Sequence, residues 1–113
     1  MNDDQVLDES RLRALSGGSA SVETMLLDSL VDEAADLLER LEAAAVVKDR
    51  GTLREAAHAL KGIAGNVGAA QLERRARALE DALRVDAPTV TAELVAIVEA
   101  LAAIRLVRDR RTT

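Results

Sequence analysis

The sequence predicts an all-α fold: an antiparallel up-down-up-down four-helix bundle with a short additional N-terminal helix. Two observations favour this fold class. Apolar residues recur at alternating spacings of three and four along four stretches, as on one face of an α-helix. The connections between these stretches are short, which is typical of antiparallel neighbours. Because the chain has no Phe, Trp or Tyr, its core must consist of Leu, Ala, Val and Ile.

The first two predicted helices are a short one and a long one. Val6 to Leu15 forms the short helix, with Asp8 and Glu9 in its opening turn. The Ser-Gly-Gly-Ser segment at 16–19 ends it. A long helix then runs from about Ser21 to Val47. Its apolar seam consists of Leu27, Leu30, Ala34, Leu37, Leu41 and Ala44.

The third predicted helix follows the Asp-Arg-Gly break at 49–51, begins at Thr52 and ends near Gly68. Thr52 and Glu55 fit a capping box, in which the hydroxyl accepts the Glu55 amide and the carboxylate reaches back. Gly68 suits a left-handed position at the C-terminal end. The buried stripe of this helix consists of Leu53, Ala57, Leu60, Ala64 and Val67.

The last two predicted helices complete the bundle. One spans Ala69 to Arg84, with a seam formed by Leu72, Ala76, Leu79 and Leu83. A loop leads to Pro88, which suits the first turn of the final helix, and that helix continues to about Arg108. Its seam consists of Val90, Leu94, Ile97, Leu101 and Ile104. The alternative is a helical hairpin that forms a bundle only by dimerising; we expect a monomer.

Composition limits the functions that this chain can have. Its 113 residues predict a single domain, residues 1–113, without room for a separate nucleotide-binding domain. A net charge of −5 argues against nonspecific nucleic-acid binding, and the lack of Cys excludes disulfides and thiolate metal sites. No apolar run reaches membrane-spanning length, and no signal peptide precedes the first helix. We therefore expect a cytoplasmic protein that binds neither membrane nor nucleic acid.

The only histidine, His58, is predicted to face solvent. At about 100° per residue, it lies roughly 140° from the centre of the apolar stripe of its helix. Gly62 and Gly65 fall on the same outer side, and Lys61 flanks them. Because glycine inside a helix costs about 1 kcal/mol relative to alanine, two glycines here suggest that a bulky partner approaches the imidazole closely. The alternative is that the glycines only allow another helix to pack tightly.

Glu80 is the predicted neighbour of His58. In an antiparallel hairpin that turns near residue 69, residues whose numbers sum to about 138 lie level, which places these two side chains opposite each other. Glu80 lies about 80° from the centre of its own apolar stripe, at the edge of the groove. Its carboxylate could accept a hydrogen bond from one imidazole nitrogen and leave the other lone pair facing solvent. Alternatively, Glu80 is a solvated charge paired with Arg77 or Arg84.

The segment His58-Ala-Leu-Lys-Gly-Ile-Ala-Gly-Asn-Val-Gly68, followed by Leu72 and Leu79-Glu80, resembles the histidine-containing phosphotransfer (HPt) domain of bacterial phosphorelays. The segment from Val6 to Leu12 is similar to the short helix that opens many such domains, so the resemblance covers most of the chain. In that family the histidine accepts a phosphoryl group from an aspartyl phosphate on a receiver domain and passes it to another receiver aspartate. The resemblance therefore implies a phosphocarrier, not an enzyme with kinase activity of its own.

The resemblance also implies roles for single residues. His58 would be the phosphoacceptor, Lys61 would offset the phosphoryl charge, and Gly62 would keep the histidine accessible. Glu80 would hydrogen-bond the imidazole, and Gly65 would serve either access or helix packing. The implied partners are response-regulator receiver domains and a hybrid histidine kinase. The expected Mg²⁺ belongs to the receiver, and no cofactor or metal is expected on this chain.

Two other functions are compatible with the sequence. One is an adaptor of the same fold that binds a receiver or another partner without phosphotransfer, which would be marked by loss of the histidine or the lysine. The other is a structural helical module in which the histidine is incidental. For docking of a receiver, candidate apolar contacts are Leu12, Leu15 and Met25, unless these residues pack the short helix onto the bundle.

Overall fold

The computed structural model describes residues 5–112, and within this range it contains five α-helices and no strand. The helices are α1 (Glu9–Ser16), α2 (Ala20–Val46), α3 (Arg50–Val67), α4 (Ala70–Arg84) and α5 (Thr91–Thr112). Helices α2 to α5 form a ring in which each packs against the next and α5 closes on α2, while α1 lies against α2 and α3. The predicted four-helix bundle with a short additional N-terminal helix is confirmed. A single chain completes this bundle, so the core does not depend on a dimer of hairpins.

The core is built almost entirely from leucine, isoleucine and alanine. Its largest fully buried side chains are Leu12, Leu27, Leu41, Leu60, Leu72, Leu79, Leu83, Ile97, Leu101 and Ile104. Burying each of these side chains stabilises the fold by about 1.5–3 kcal/mol. Leu12 therefore packs α1 onto the bundle and is not a docking residue. The other two docking candidates, Leu15 and Met25, are exposed.

Replacing Leu60 by alanine is expected to destabilise the bundle strongly. Leu60 is fully buried on α3, so its truncation leaves a cavity and should lower the free energy of unfolding by about 2–5 kcal/mol. Leu106→Ala is the matched control, because Leu106 is 58% exposed and should lose less than about 0.5 kcal/mol. Urea denaturation followed by circular dichroism measures both changes. Equal losses in the two variants would contradict the burial assigned to Leu60.

The starts of α1 and α3 differ from the predicted ones because an aspartate provides each N-cap. The Asp8 side chain accepts the Arg11 amide, and α1 begins at Glu9 instead of Val6. The preceding Leu7 is buried, so this segment packs on the core without being helical. The Asp8 amide also donates to the Gly68 carbonyl at 2.7 Å, which joins the N-terminal segment to the α3–α4 turn.

Helix α3, by contrast, begins earlier than predicted. The Asp49 carboxylate accepts the Thr52 amide at 3.1 Å and the Thr52 hydroxyl at 2.7 Å, and the helix starts at Arg50. The predicted capping box at Thr52 and Glu55 is therefore wrong. Asp49 already satisfies the first-turn amide, and the threonine hydroxyl donates instead of capping. Both hydrogen bonds lower the pKa of the Asp49 carboxyl. The bond from the Thr52 hydroxyl has the larger effect, and the bond from the Thr52 amide has the smaller one.

The α3–α4 turn does follow the prediction. Gly68 adopts a left-handed conformation with φ of 85°, and its amide donates to the carbonyls of Ala64 and Gly65. A Cβ at Gly68 would lie 3.0 Å from the Arg11 side chain and 3.1 Å from the Asp8 carbonyl oxygen. Both the backbone conformation and the close approach of the α1 segment therefore require glycine here.

Long-range contacts of two arginines close the ends of the bundle. At one end, the Arg50 guanidinium donates to the Ala87 carbonyl at 3.1 Å, in the loop between α4 and α5. At the other end, Arg111 binds Glu9 at 2.6 Å and Glu23 at 2.7 Å, which ties α5 to α1 and α2. These contacts accompany the extension of α5 to Thr112, beyond the predicted end at Arg108.

The start of α5 also differs from the prediction. The helix begins at Thr91, and Pro88 lies in the preceding loop instead of the first turn. The Thr89 hydroxyl oxygen accepts the Thr91 amide at 3.2 Å. The threonine thus satisfies an amide of the opening turn. Proline could not do so, because its side chain has no hydrogen-bond acceptor.

Candidate functional site

Packing of α3 directs His58 to solvent. The helix buries Leu53, Ala56, Ala57, Leu60 and Ala64 against the bundle. The opposite face carries the histidine, whose side chain is 74% exposed. The burial of one face fixes the rotation of the helix, and the exposure of the imidazole follows from that rotation. The stripe differs from the predicted one only in that Ala56 is buried and Val67 is partly exposed.

The structure brings His58 and Glu80 together as the antiparallel register predicts. His58 Nδ1 lies 2.9 Å from Glu80 Oε2, across the groove between α3 and α4. An ionised carboxylate only accepts hydrogen bonds, so Nδ1 carries the proton and the Nε2 lone pair of the neutral ring points away from Glu80. The alternative arginine partners of Glu80 are engaged elsewhere, since Arg77 binds Glu73 at 3.3 Å and Arg84 binds Asp81 at 2.7 Å.

Lys61 also binds Glu80, a contact that the sequence interpretation did not include. Its Nζ lies 2.7 Å from Glu80 Oε1, so each carboxylate oxygen has one partner: the lysine or the histidine. The side chain of Lys61 is 28% exposed and that of Glu80 is 18% exposed. The spacing of three residues between His58 and Lys61 could have indicated this contact, because both side chains then reach the same side of α3.

The shared contacts control the ionisation of Glu80. Partial burial raises the pKa of this carboxyl, but the hydrogen bonds from Lys61 and His58 and the nearby positive charge outweigh burial and lower it overall. Glu80 therefore stays ionised at neutral pH and acts as an acceptor for both neighbours.

The two glycines beside His58 have different surroundings. Gly62 is exposed, and a Cβ built there would meet no atom within 4 Å. At Gly65 a Cβ would come within 2.9 Å of Glu73 Oε2 and 3.2 Å of Glu73 Cδ. Only the flexible end of the Glu73 side chain would have to shift to admit a Cβ at Gly65, and nothing would at Gly62, so helix packing does not require glycine at either position.

The site lies on an open helix face. A cavity of about 300 Å³ lies where the α2–α3 and α4–α5 connections meet, lined by residues such as Arg50, Leu53, Val90 and Leu94, and it does not include His58. Among residues 5–112, no group of three or more His, Asp or Glu side chains is arranged to hold a metal ion. No helix within the described range is long and apolar enough to span a membrane. An exposed nucleophile with a nearby cation suits a protein partner better than an enclosed small molecule.

Comparison with known proteins decides the family. The sequence profile of the Hpt domain family matches residues 25–107. The chain belongs to the Hpt domain family. The crystal structure of histidine-containing phosphotransfer protein B (HptB) from Pseudomonas aeruginosa PAO1 is similar to this Hpt domain. It has a TM-score of 0.86 and 28% sequence identity, covering 95% of both chains.

A second solved structure shares the fold. The HPT domain of a sensor hybrid histidine kinase from Shewanella has a TM-score of 0.69 and 17% identity, covering 93% of this chain and 95% of its own. No curated protein sequence matches significantly. The family assignment confirms the resemblance inferred from the segment between His58 and Gly68. This Hpt domain is a phosphotransfer carrier of the phosphorelay type, and the adaptor and structural-module alternatives are not favoured.

Proposed function

We propose that His58 Nε2 is the phosphoacceptor atom of this carrier. The proposal rests on the 2.9 Å contact between His58 Nδ1 and Glu80 on an imidazole that is 74% exposed. The carboxylate fixes the ring and its proton on the inner side, so the remaining nitrogen offers its lone pair to a visiting protein. An imidazole whose proton is held on Nδ1 is nucleophilic at Nε2.

The transfer step follows from this arrangement. The Nε2 lone pair attacks the phosphorus of a receiver aspartyl phosphate, a P–N bond forms, and the P–O bond to the aspartate breaks. The electron pair of that bond leaves on the aspartate carboxylate. The ring keeps its Nδ1 proton and becomes positively charged, and the ionised Glu80 stabilises that charge. The reverse reaction delivers the phosphoryl group to the aspartate of another receiver.

The proposed partners are response-regulator receiver domains and a hybrid histidine kinase. Phosphoryl transfer requires mainly positioning and neutralisation of charge, and this chain contributes the nucleophile and one cation. The receiver would contribute the Mg²⁺ and the aspartate that donates or accepts the phosphoryl group. We further propose that the chain is a cytoplasmic monomer without kinase activity of its own. The bundle completed within one chain supports the monomer. Leu15 and Met25 remain exposed candidates for receiver contact.

The direct test is transfer from a purified, phosphorylated receiver domain in the presence of Mg²⁺. The wild-type chain should acquire a phosphoryl group that is labile in acid and stable in alkali, the behaviour of phosphohistidine. An adaptor would bind the receiver without acquiring the group, and a structural module would do neither.

Replacing Lys61 by alanine is expected to slow transfer without unfolding the bundle. The ammonium is the nearest cation in contact with the His58–Glu80 pair, and its removal takes away one charge that can neutralise the phosphoryl group. We expect the rate of phosphorylation to fall by about 10- to 150-fold, because a charge-assisted contact is worth about 1.5–3 kcal/mol. Rapid-quench measurement of phosphohistidine checks the rate, and thermal melting checks the fold.

Lys48→Ala is the matched control, because it removes an exposed ammonium from the α2–α3 turn. Its transfer rate should equal that of the wild type. Wild-type transfer by the Lys61→Ala variant would contradict the proposed role of Lys61.

A further inference from the structure

We propose that Glu80 competes with the phosphoryl group for Lys61 and thereby makes phosphorylated His58 a better phosphoryl donor. The inference rests on the proposed role of His58 and adds a second role for Glu80, besides orienting the ring. Its basis is the division of one carboxylate between two partners: Oε2 lies 2.9 Å from His58 Nδ1, and Oε1 lies 2.7 Å from Lys61 Nζ.

Lys61 is already bound before any phosphoryl group arrives. The ammonium and the carboxylate are 2.7 Å apart and mostly covered, with side chains that are 28% and 18% exposed. Such a partly shielded pair is screened less by solvent and salt than a fully exposed one. The phosphoryl group would bond to Nε2, on the side of the ring that points away from Glu80. In this proposal the Lys61 ammonium turns outward from Glu80 to contact it.

The phosphorylated state consequently places two anions around one ammonium. The contact of Lys61 with the phosphoryl group is gained at the expense of its contact with Glu80, and the two anions repel each other. Transfer of the phosphoryl group to an aspartate removes this competition and restores the lysine–glutamate pair. Glu80 thus acts on phosphohistidine in two opposed ways. It accepts the Nδ1 hydrogen bond of the charged ring, which an amide oxygen can also do, and it competes for Lys61, which a neutral amide cannot.

Glu80→Gln separates the two roles. The glutamine amide oxygen can still accept the Nδ1 hydrogen bond, but the side chain has no negative charge with which to hold Lys61. We expect the equilibrium of phosphoryl exchange with a receiver to shift towards phosphohistidine by about 3- to 10-fold, since the lost pair is partly shielded. Glu55→Gln is the matched control. Glu55 lies three residues before His58 on α3, is exposed, and has no ion pair or hydrogen-bond partner among the described side chains.

A double variant identifies Lys61 as the cause of the shift. In a Lys61→Ala background, Glu80→Gln should shift the exchange equilibrium by much less, because only the direct repulsion between the two anions is left to relieve. An unchanged equilibrium in the single Glu80→Gln variant would overturn the proposal. A shift of equal size in the Lys61→Ala background would also overturn it. Loss of phosphorylation in the Glu80→Gln variant would overturn it as well.

A second measurement does not depend on a receiver. The chain contains two lysines, Lys48 and Lys61, so the side-chain NMR signals of isotope-labelled lysine are readily assigned. Glu80→Gln should move the Lys61 signal and not the Lys48 signal. Phosphorylation of the wild type with phosphoramidate, a small phosphodonor, should also move only Lys61.

If neither Glu80→Gln nor phosphorylation moves the Lys61 signal, the proposed competition for Lys61 is wrong. If receivers fail to phosphorylate the wild type while the Lys61 signal moves as expected, the phosphocarrier role fails and the coupling between Lys61 and Glu80 stands. The two failures are thus distinguishable.

Discussion

His58→Gln is expected to abolish phosphorylation by any receiver domain. Glutamine lacks the ring nitrogen whose lone pair forms the P–N bond. The chain has no other histidine that could replace it. The loss should exceed about 10³-fold, as is usual when a covalent nucleophile is removed from a site that otherwise retains its binding contacts. Incubation with a phosphorylated receiver and Mg²⁺, followed by intact-mass analysis, measures the result.

The fold of this variant should be unaffected. The His58 side chain is 74% exposed and contributes little to the core, so its replacement should change the free energy of unfolding by less than about 0.5 kcal/mol. Glu55→Gln, with a neutral amide introduced one turn away on the same helix, should be phosphorylated like the wild type. An acid-labile phosphoryl group on His58→Gln would place the acceptor on another residue and refute the proposed site.

The fold was predictable because burial repeats with the period of the helix. The seams of α3 and α4 contain the residues that are buried in the structure, with few exceptions such as Val67. The helix starts were not predictable to the residue. Several polar side chains near each start compete for the same free amides, and the sequence does not say which one wins. At α3 the choice lay between Asp49 and Thr52, and the aspartate caps the helix.

The site was predictable where backbone register decides it and not where flexible side chains do. His58 and Glu80 are close because two antiparallel helices turn at Gly68, and that register follows from the chain itself. Lys61 has a long side chain that could extend to solvent or turn back to a carboxylate. Only the packed structure shows that it binds Glu80. The same applies to Gly65, whose neighbour is the end of the Glu73 side chain.

Gly62→Leu is expected to block transfer from receivers while leaving the bundle folded. Gly62 lies one turn beyond His58 on the exposed face of α3, and a Cβ there meets no atom within 4 Å. Removing a glycine from a helix interior should stabilise the chain by about 0.5–1 kcal/mol. A leucine at this position would nevertheless hold a docking receiver away from the imidazole. Displacing reacting groups by about 1 Å can slow a reaction by about 10²-fold, and we expect at least that loss.

Two comparisons test whether slower transfer is caused by crowding at position 62. One varies the size of the side chain at this position, and the other varies the size of the phosphodonor. Gly62→Ala should lose less activity than Gly62→Leu, because the obstruction grows with side-chain size. Phosphoramidate should phosphorylate all three proteins at similar rates, because this small donor does not cover the helix. Ala102→Leu is the matched control: it adds the same side chain to an exposed position of α5, a helix without packing contacts to α3. Wild-type rates of transfer from a receiver to Gly62→Leu would contradict the access role, since neither helix packing nor backbone conformation requires glycine at this position.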